Sequence, residues 1–302
     1  MQPAFLQQGD TIGIIATARF ITSEQWQYAK SVIESWGLKI KCAENVFTPV
    51  FQLAGSVDER TQSFLSMWKD DTVKALLVAR GGYGTVHTID EILPHIDDSK
   101  WICGYSDVTV LLNAFTNKNI SCIHSTMPIS FEHATPEALE NLRRALFGEC
   151  FSFDWIEKQI QTGRSEGKIV GGNLSLIYSQ LGSITQLTTD GKILFLEDVD
   201  EMLYHVDRMF MALKRAGMFK NISGLILGGF TQMRDNTEEF GFSSNNPWGK
   251  SVEKMVQEMD LNSETPIAVG FPAGHLNDNR AFYMGRNAEL IVNENSAQLT
   301  WK

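Results

Sequence analysis

The stretch that decides the fold is KWICGYSDVTVLLNAF, residues 100–115. A short apolar run, Trp101-Ile102-Cys103, leads into Gly104-Tyr105-Ser106-Asp107, after which apolar residues recur at helical spacing. Such a pattern predicts a strand that turns directly into a helix. It sets a hydroxyl at the turn, beside the unpaired N–H groups of a helix N-terminus, where developing negative charge is favoured. A serine before a helix most often serves as a cap, so a nucleophilic role for Ser106 depends on its neighbours.

Working outward, the same rhythm recurs on both sides. Strand-like runs at 11–16, 38–42, 74–79, 101–103 and 121–124 alternate with helical patterns at 23–36, 56–68, 85–93, from Asp107, and 136–147. Alternation at this spacing predicts an α/β fold with parallel strands, right-handed crossovers, and ligands bound outside the carboxyl ends of the strands. After Gly148 the rhythm breaks. Residues 1–148 read as an N-terminal α/β domain, 149–168 as a linker, and 169–302 as a smaller C-terminal α/β domain. The latter holds a Gly-rich turn at 171–173, a strand at 192–196, a helix at 201–216 and further strands at 225–227, 266–269, 289–292 and 298–301.

Composition narrows the function. With 43% hydrophobic residues in 302 the chain can bury substantial cores, and a formal charge of −10 without a basic block argues against nucleic acid or an anionic membrane as partner. Cys42, Cys103, Cys122 and Cys150 are far apart and form no C-x-x-C pair, so they read as reduced thiols of a cytoplasmic protein. The start of the chain has no signal-peptide pattern, and no run of about eighteen apolar residues predicts a membrane span.

Chemistry gathers around Ser106. The loop Ala79-Arg80-Gly81-Gly82-Tyr83-Gly84 directly follows the strand KALLVA, yet lacks G-x-x-x-x-G-K and the last glycine of G-x-G-x-x-G, which weighs against a nucleotide cradle. If its strand neighbours the one before Ser106, the backbone N–H groups of Gly82 and Asp107 converge as an oxyanion hole. The chain has six histidines, at 87, 95, 124, 133, 205 and 275, with no zinc-site spacing among them, and no metal or cofactor is expected. His275 stands in the loop Gly270-Phe-Pro-Ala-Gly274-His275 after a strand, the placement that favours function, and His124 ends a strand on the same kind of edge. Glu197 continues the apolar strand in LFLEDVDE. It can be the buried carboxylate that orients a histidine, whereas its acidic neighbours suit a helix N-terminus and lack the spacing of a calcium loop.

Taken in order, GDTIGIIA from Gly9, ARGGYG from Ala79, GYSDVT from Gly104, GGNLSLI from Gly171, LFLEDVDEMLYHVDRM from Leu194 and FPAGH from Phe271 resemble the LD-carboxypeptidase family of serine peptidases, which includes the microcin C self-immunity peptidases. The resemblance implies a Rossmann-like N-terminal domain and a swivelling, barrel-like C-terminal one. It implies a triad of Ser106, His275 and Glu197, oxyanion donors Gly82 and Asp107, and a homodimer. It further implies release of D-alanine from muropeptide tetrapeptides in cytoplasmic wall recycling. Tyr83, Arg80 and His124 are candidates for holding substrate. For the terminal carboxylate, Arg80, Arg208, Arg280 and Arg286 all stay open. Two loops depart from the family pattern, Ala16-Thr17-Ala18-Arg19 and His124-Ser125-Thr126-Met127-Pro128, and both bear on substrate detail. The alternatives are a microcin-type peptidase acting on acyl-nucleotide amides and a non-catalytic muropeptide-binding protein. Against the first stands the short span of 24 residues between Gly172 and Glu197, and against the second the intact triad.

Overall fold

A computed structural model describes residues 1–149, 152–235 and 250–302; Cys150 lies outside them. The chain forms two compact units, Met1–Phe151 with Asn277–Gly285, and Ser152–Leu276 with Arg286–Lys302.

In chain order the first unit contains β1 (Thr11–Ile15), α1 (Ser23–Ser35), β2 (Lys39–Cys42), a small hairpin of β3 (Pro49–Val50) and β4 (Leu53–Ala54), α2 (Val57–Lys69), β5 (Val73–Val78), α3 (Ile89–Ile92), β6 (Trp101–Gly104), α4 (Thr109–Asn117), β7 (Cys122–His124) and α5 (Pro136–Phe147). The second follows with β8 (Ser152–Ile156), β9 (Gly163–Asn173), α6 (Leu174–Ser179), β10 (Ile193–Val199), α7 (Leu203–Arg215), β11 (Gly224–Thr231), α8 (Val252–Glu258) and β12 (Ile267–Ala268). Then β13 (Phe282–Met284) returns to the first unit, and β14 (Asn287–Val292) and β15 (Ser296–Trp301) close the second.

The first sheet runs β13-β7-β6-β5-β1-β2, parallel except for β13, as the β/α alternation predicts. Its helices begin where the sequence says they should. Thr22 with Gln25 and Ser56 with Glu59 form capping boxes on α1 and α2, and Thr135 caps α5 with Pro136 in its first turn. Each cap satisfies N–H groups that the helix itself leaves without an acceptor. Central strands β5 and β6 are almost wholly buried, which matches their continuous apolar runs. The helical pattern at 85–93 resolves into a 3-10 turn at Thr85–His87 and the single turn of α3, with Leu93–His95 in 3-10 form around Pro94.

The second sheet runs β12-β11-β10-β9-β14-β15-β8, parallel from β12 to β9 and antiparallel beyond. Between β8 and β9, Gln161 forms an isolated antiparallel bridge with Ile267, which ties this segment to the edge strand β12. Val206, Met209, Phe210 and Leu213 of α7 pack on Leu194 and Leu196 of β10 in this unit's core.

Two sequence expectations differ from this architecture. Residues 149–168 contain β8 and the outer half of β9, because Gly163–Lys168 pair in antiparallel register with β14. Their alternating half-exposed, polar character hides the strand. Residues 277–285, placed with the second domain from sequence order, belong to the first unit, where β13 pairs with β7. A three-residue strand offers no periodicity to read.

Candidate functional site

In the first unit, Ser106 leaves β6 through Tyr105 and opens a 3-10 turn, Ser106–Val108, that continues into α4. Its backbone is left-handed, with φ of 62°, a conformation that costs a non-glycine residue about 1–2 kcal/mol. A strained hydroxyl at a strand-to-helix corner is presented outward from the end of the sheet.

Strands β5 and β6 are parallel neighbours, so the loop after β5 emerges beside this corner. A β-carbon on Gly81 would stand 3.3 Å from Ser106 Oγ, and one on Gly82, at φ 103°, would run into the Arg19 side chain at 2.7 Å. The left-handed backbone and the Arg19 side chain hold position 82 to glycine, while a side chain at 81 would crowd Ser106. The N–H groups of Gly82 and Asp107 have no acceptor among the described residues. Beneath the loop, the buried Asp107 carboxylate accepts from Thr85 N–H at 2.9 Å, and Thr85 Oγ1 lies 2.8 Å from Thr17 Oγ1. Burial pushes the Asp107 carboxyl up from its usual range, opposed by bonds from Thr85 and Gly84 and by the Arg60 charge. Arg60, itself fully buried, donates to Thr17 O and Gly55 O at 3.1 and 2.7 Å. This network fixes the loop from below.

In the second unit, β10 delivers Glu197 to the carboxyl end of the sheet with no exposed surface. Its Oε2 lies 2.7 Å from Nδ1 of His275, whose side chain is 19% exposed. A carboxylate only accepts, so Nδ1 carries a proton, and in the neutral ring the lone pair is then on Nε2, the state a general base needs. The His275 loop is sewn to β11: Gly229 N–H donates to Ala273 O at 2.9 Å and Thr231 Oγ1 to His275 O at 3.0 Å. Burial works against the imidazolium, but the Glu197 charge and hydrogen bond and the Asp198 charge outweigh it, so the His275 pKa is raised from 6.5. Asp198 accepts from Asn173 Nδ2 and Ser175 N–H, each at 2.9 Å, and anchors α6. Burial, then the neighbouring Glu197, raises its carboxyl to about 6.

Among the sequence candidates for substrate, Tyr83 is exposed and its hydroxyl lies 2.7 Å from His87 Nε2, while Arg80 is half-buried and donates to Phe20 O at 3.3 Å. His124 is fully buried, stacked on Phe282 with ring centroids 4.8 Å apart and edge-on to Tyr105, so its ring is core packing and has no surface to offer a substrate. His87, His95 and His133 are exposed, and His205 pairs with Glu201 at 2.8 Å. Among the described residues no group of three or more His, Cys, Asp or Glu could hold a metal ion, and no helix is long and apolar enough to cross a membrane. Sequence reasoning passed over Arg19, Gly81 and Asp198. For Arg19 the signal was present, as a cation in a loop that departs from the family pattern.

Comparison with known proteins bears on both units. The family profile described as the LD-carboxypeptidase N-terminal domain matches residues 12–125, and that described as the LD-carboxypeptidase C-terminal domain matches residues 166–290. A probable murein peptide carboxypeptidase of Bacillus subtilis (strain 168) is 31% identical over 310 aligned residues, covering 98% of this chain and 93% of the relative. The murein tetrapeptide carboxypeptidase of Pseudomonas aeruginosa is 26% identical, covering 93% of each. Among solved structures, muramoyltetrapeptide carboxypeptidase from Oxalobacter formigenes matches with a TM-score of 0.85 at 24% identity, over 96% of this chain and 98% of that one. The microcin C7 self immunity protein MccF matches with a TM-score of 0.83 at 20% identity, over 100% and 99%. At these identities the two structural likenesses speak for the fold alone.

Proposed function

Because the chain belongs to the LD-carboxypeptidase family in both its domains, we propose that it is a serine peptidase that hydrolyses the terminal L,D-amide bond of muropeptide tetrapeptides and releases D-alanine. The observation that carries this reading is the 2.7 Å contact between the buried Glu197 carboxylate and His275, held in the tautomer that leaves Nε2 basic.

In the proposed mechanism, Ser106 Oγ attacks the amide carbonyl while His275 Nε2 takes its proton. Glu197 stabilises the imidazolium, and the N–H groups of Gly82 and Asp107 receive the oxyanion. The C–N bond then breaks, the amine leaves with the proton from His275, and water activated by the same imidazole hydrolyses the acyl-enzyme. No step calls for a metal or cofactor. Action in the cytoplasm as a homodimer belongs to the same proposal and rests on the family resemblance. The span from Asn173 to Leu196 holds only the short α6, turns and the start of β10, which favours the muropeptide reading over an acyl-nucleotide substrate.

The test is incubation of purified protein with muropeptide tetrapeptide, following D-alanine by mass spectrometry, with Ser106→Ala as control. The variant should lose about 10⁴ to 10⁶-fold in rate. Unchanged release by it would sink the nucleophile assignment, and cleavage of an aminoacyl-adenylate analogue alone would favour the microcin-type activity.

A further inference from the structure

Arg19 and Arg80, both in the first unit, flank the glycine loop beside Ser106. The Arg19 side chain lies on Gly82, its Cδ 2.7 Å and its Nε 2.9 Å from where a β-carbon of Gly82 would be, and its backbone N–H donates to Gly81 O at 3.4 Å. Arg19 Nε is enclosed and has no acceptor among the described residues. Arg80 donates to the carbonyl of Phe20. No Asp or Glu pairs with either guanidinium among the described residues. Burial, and then the charge of Arg19, lower the pKa of Arg80, so the Arg19 charge is felt at Arg80. Two half-buried like charges without a counter-ion are costly, and an anion between them removes the cost.

The other arginines left open by the sequence have occupations of their own. Arg208 lies over the Tyr204 ring at 5.3 Å, Arg280 pairs with Asp278 at 2.9 Å, and Arg286 donates to Lys302 O at 3.2 Å. Reach points the same way. In a carboxypeptidase substrate the free carboxylate is one residue beyond the scissile carbonyl, a span of about 3.3–3.6 Å, so its receptor must border the oxyanion donors. Arg19 touches one of them.

We propose that Arg19 and Arg80 together bind the free carboxylate of the residue that is released, and so restrict the enzyme to chain ends. The proposal rests on the peptidase reading above. Planar guanidinium forks suit a carboxylate better than ammonium groups do.

The test compares the tetrapeptide with its C-terminal amide. Wild-type protein should favour the acid, and Arg19→Gln should lower kcat/KM for the acid by about 10 to 100-fold, mainly through KM, while sparing the amide. Arg19→Lys should restore part of the loss. An unchanged acid-to-amide ratio in Arg19→Gln overturns the proposal. Because the ratio is internal to each protein, partial misfolding does not mimic it. Separately, calorimetry of Ser106→Ala protein should give tighter binding of the acid, a preference abolished by adding Arg19→Gln. Equal binding of acid and amide, or of neither, overturns the carboxylate site. Absence of D-alanine release by wild-type protein sinks the peptidase reading, while the calorimetry still decides the role of the arginines.

Discussion

Gly274 and Glu197 approach one another more closely than any side chain at 274 permits: a β-carbon there would lie 2.8 Å from Glu197 Oε2 and 2.8 Å from its Cβ. The backbone at Gly274 is also in a region that favours glycine, with φ of 113°. One missing methyl thus sets the geometry of the carboxylate that meets the next residue, His275. Gly274→Ala should therefore reduce kcat by about 100-fold or more, by displacing His275, the proposed general base. It should also cost at least about 1 kcal/mol of stability. Steady-state kinetics with urea unfolding checks both, and near-wild-type kcat would contradict the account.

The raised His275 pKa has a definite sign. The charged His275–Glu197 pair favours the folded state fully below pH 6.5, the unfolded value, and this contribution is lost as pH rises through the folded value. In its proposed role as base His275 works unprotonated, so kcat/KM should climb along a limb centred above 6.5. Glu197→Gln should move that limb toward acid and lower kcat by roughly 10³ to 10⁴-fold. A pH–rate profile of both proteins decides it, and a limb that stays in place would refute the assignment.

Backbone strain at Ser106 separates stability from activity. Ser106→Gly relieves the left-handed conformation and should stabilise the protein by about 0.5–1 kcal/mol after the entropy cost of glycine, while abolishing turnover. Ser106→Ala keeps the strain and should show no such gain. Equal urea midpoints for the two variants would argue against stored strain.

Asp107 has two ends with different duties. Its carboxylate holds Thr85, so Asp107→Ala should free the glycine loop, lower kcat by about 100-fold with little change in KM, and cost about 1–3 kcal/mol for the buried N–H left without its acceptor. Hydrogen exchange at Thr85 gives a local readout. Full protection there would mean the loop is held by something else.

Legibility in the sequence followed the strength of local signals. Strands β5 and β6 are continuous apolar runs ended by glycine or a helical pattern, so their parallel pairing and the closeness of the loop at 81–84 to Ser106 could be anticipated. Glu197 could be singled out because it extends an apolar strand. The strand β9 could not, since its outer half is polar and interrupted by glycines. The burial of His124 depends on Phe282, a residue of β13 far along the chain, and no local pattern announces that partner. The proximity of Arg19 and Arg80 arises from parallel strands lying side by side, a relation invisible to spacing along the chain.

The return of residues 277–285 to the first sheet has a consequence for biosynthesis. The strand β13 pairs with β7, which in turn pairs with β6 just ahead of Ser106. A ribosome must therefore deliver residue 284 before the edge of that sheet can be covered. Until then β7 is left with an open hydrogen-bonding edge, the kind of surface that invites mispairing. Severing the chain after residue 151 would leave the same edge bare, so the half that carries Ser106 cannot be passed between proteins as a self-contained cassette.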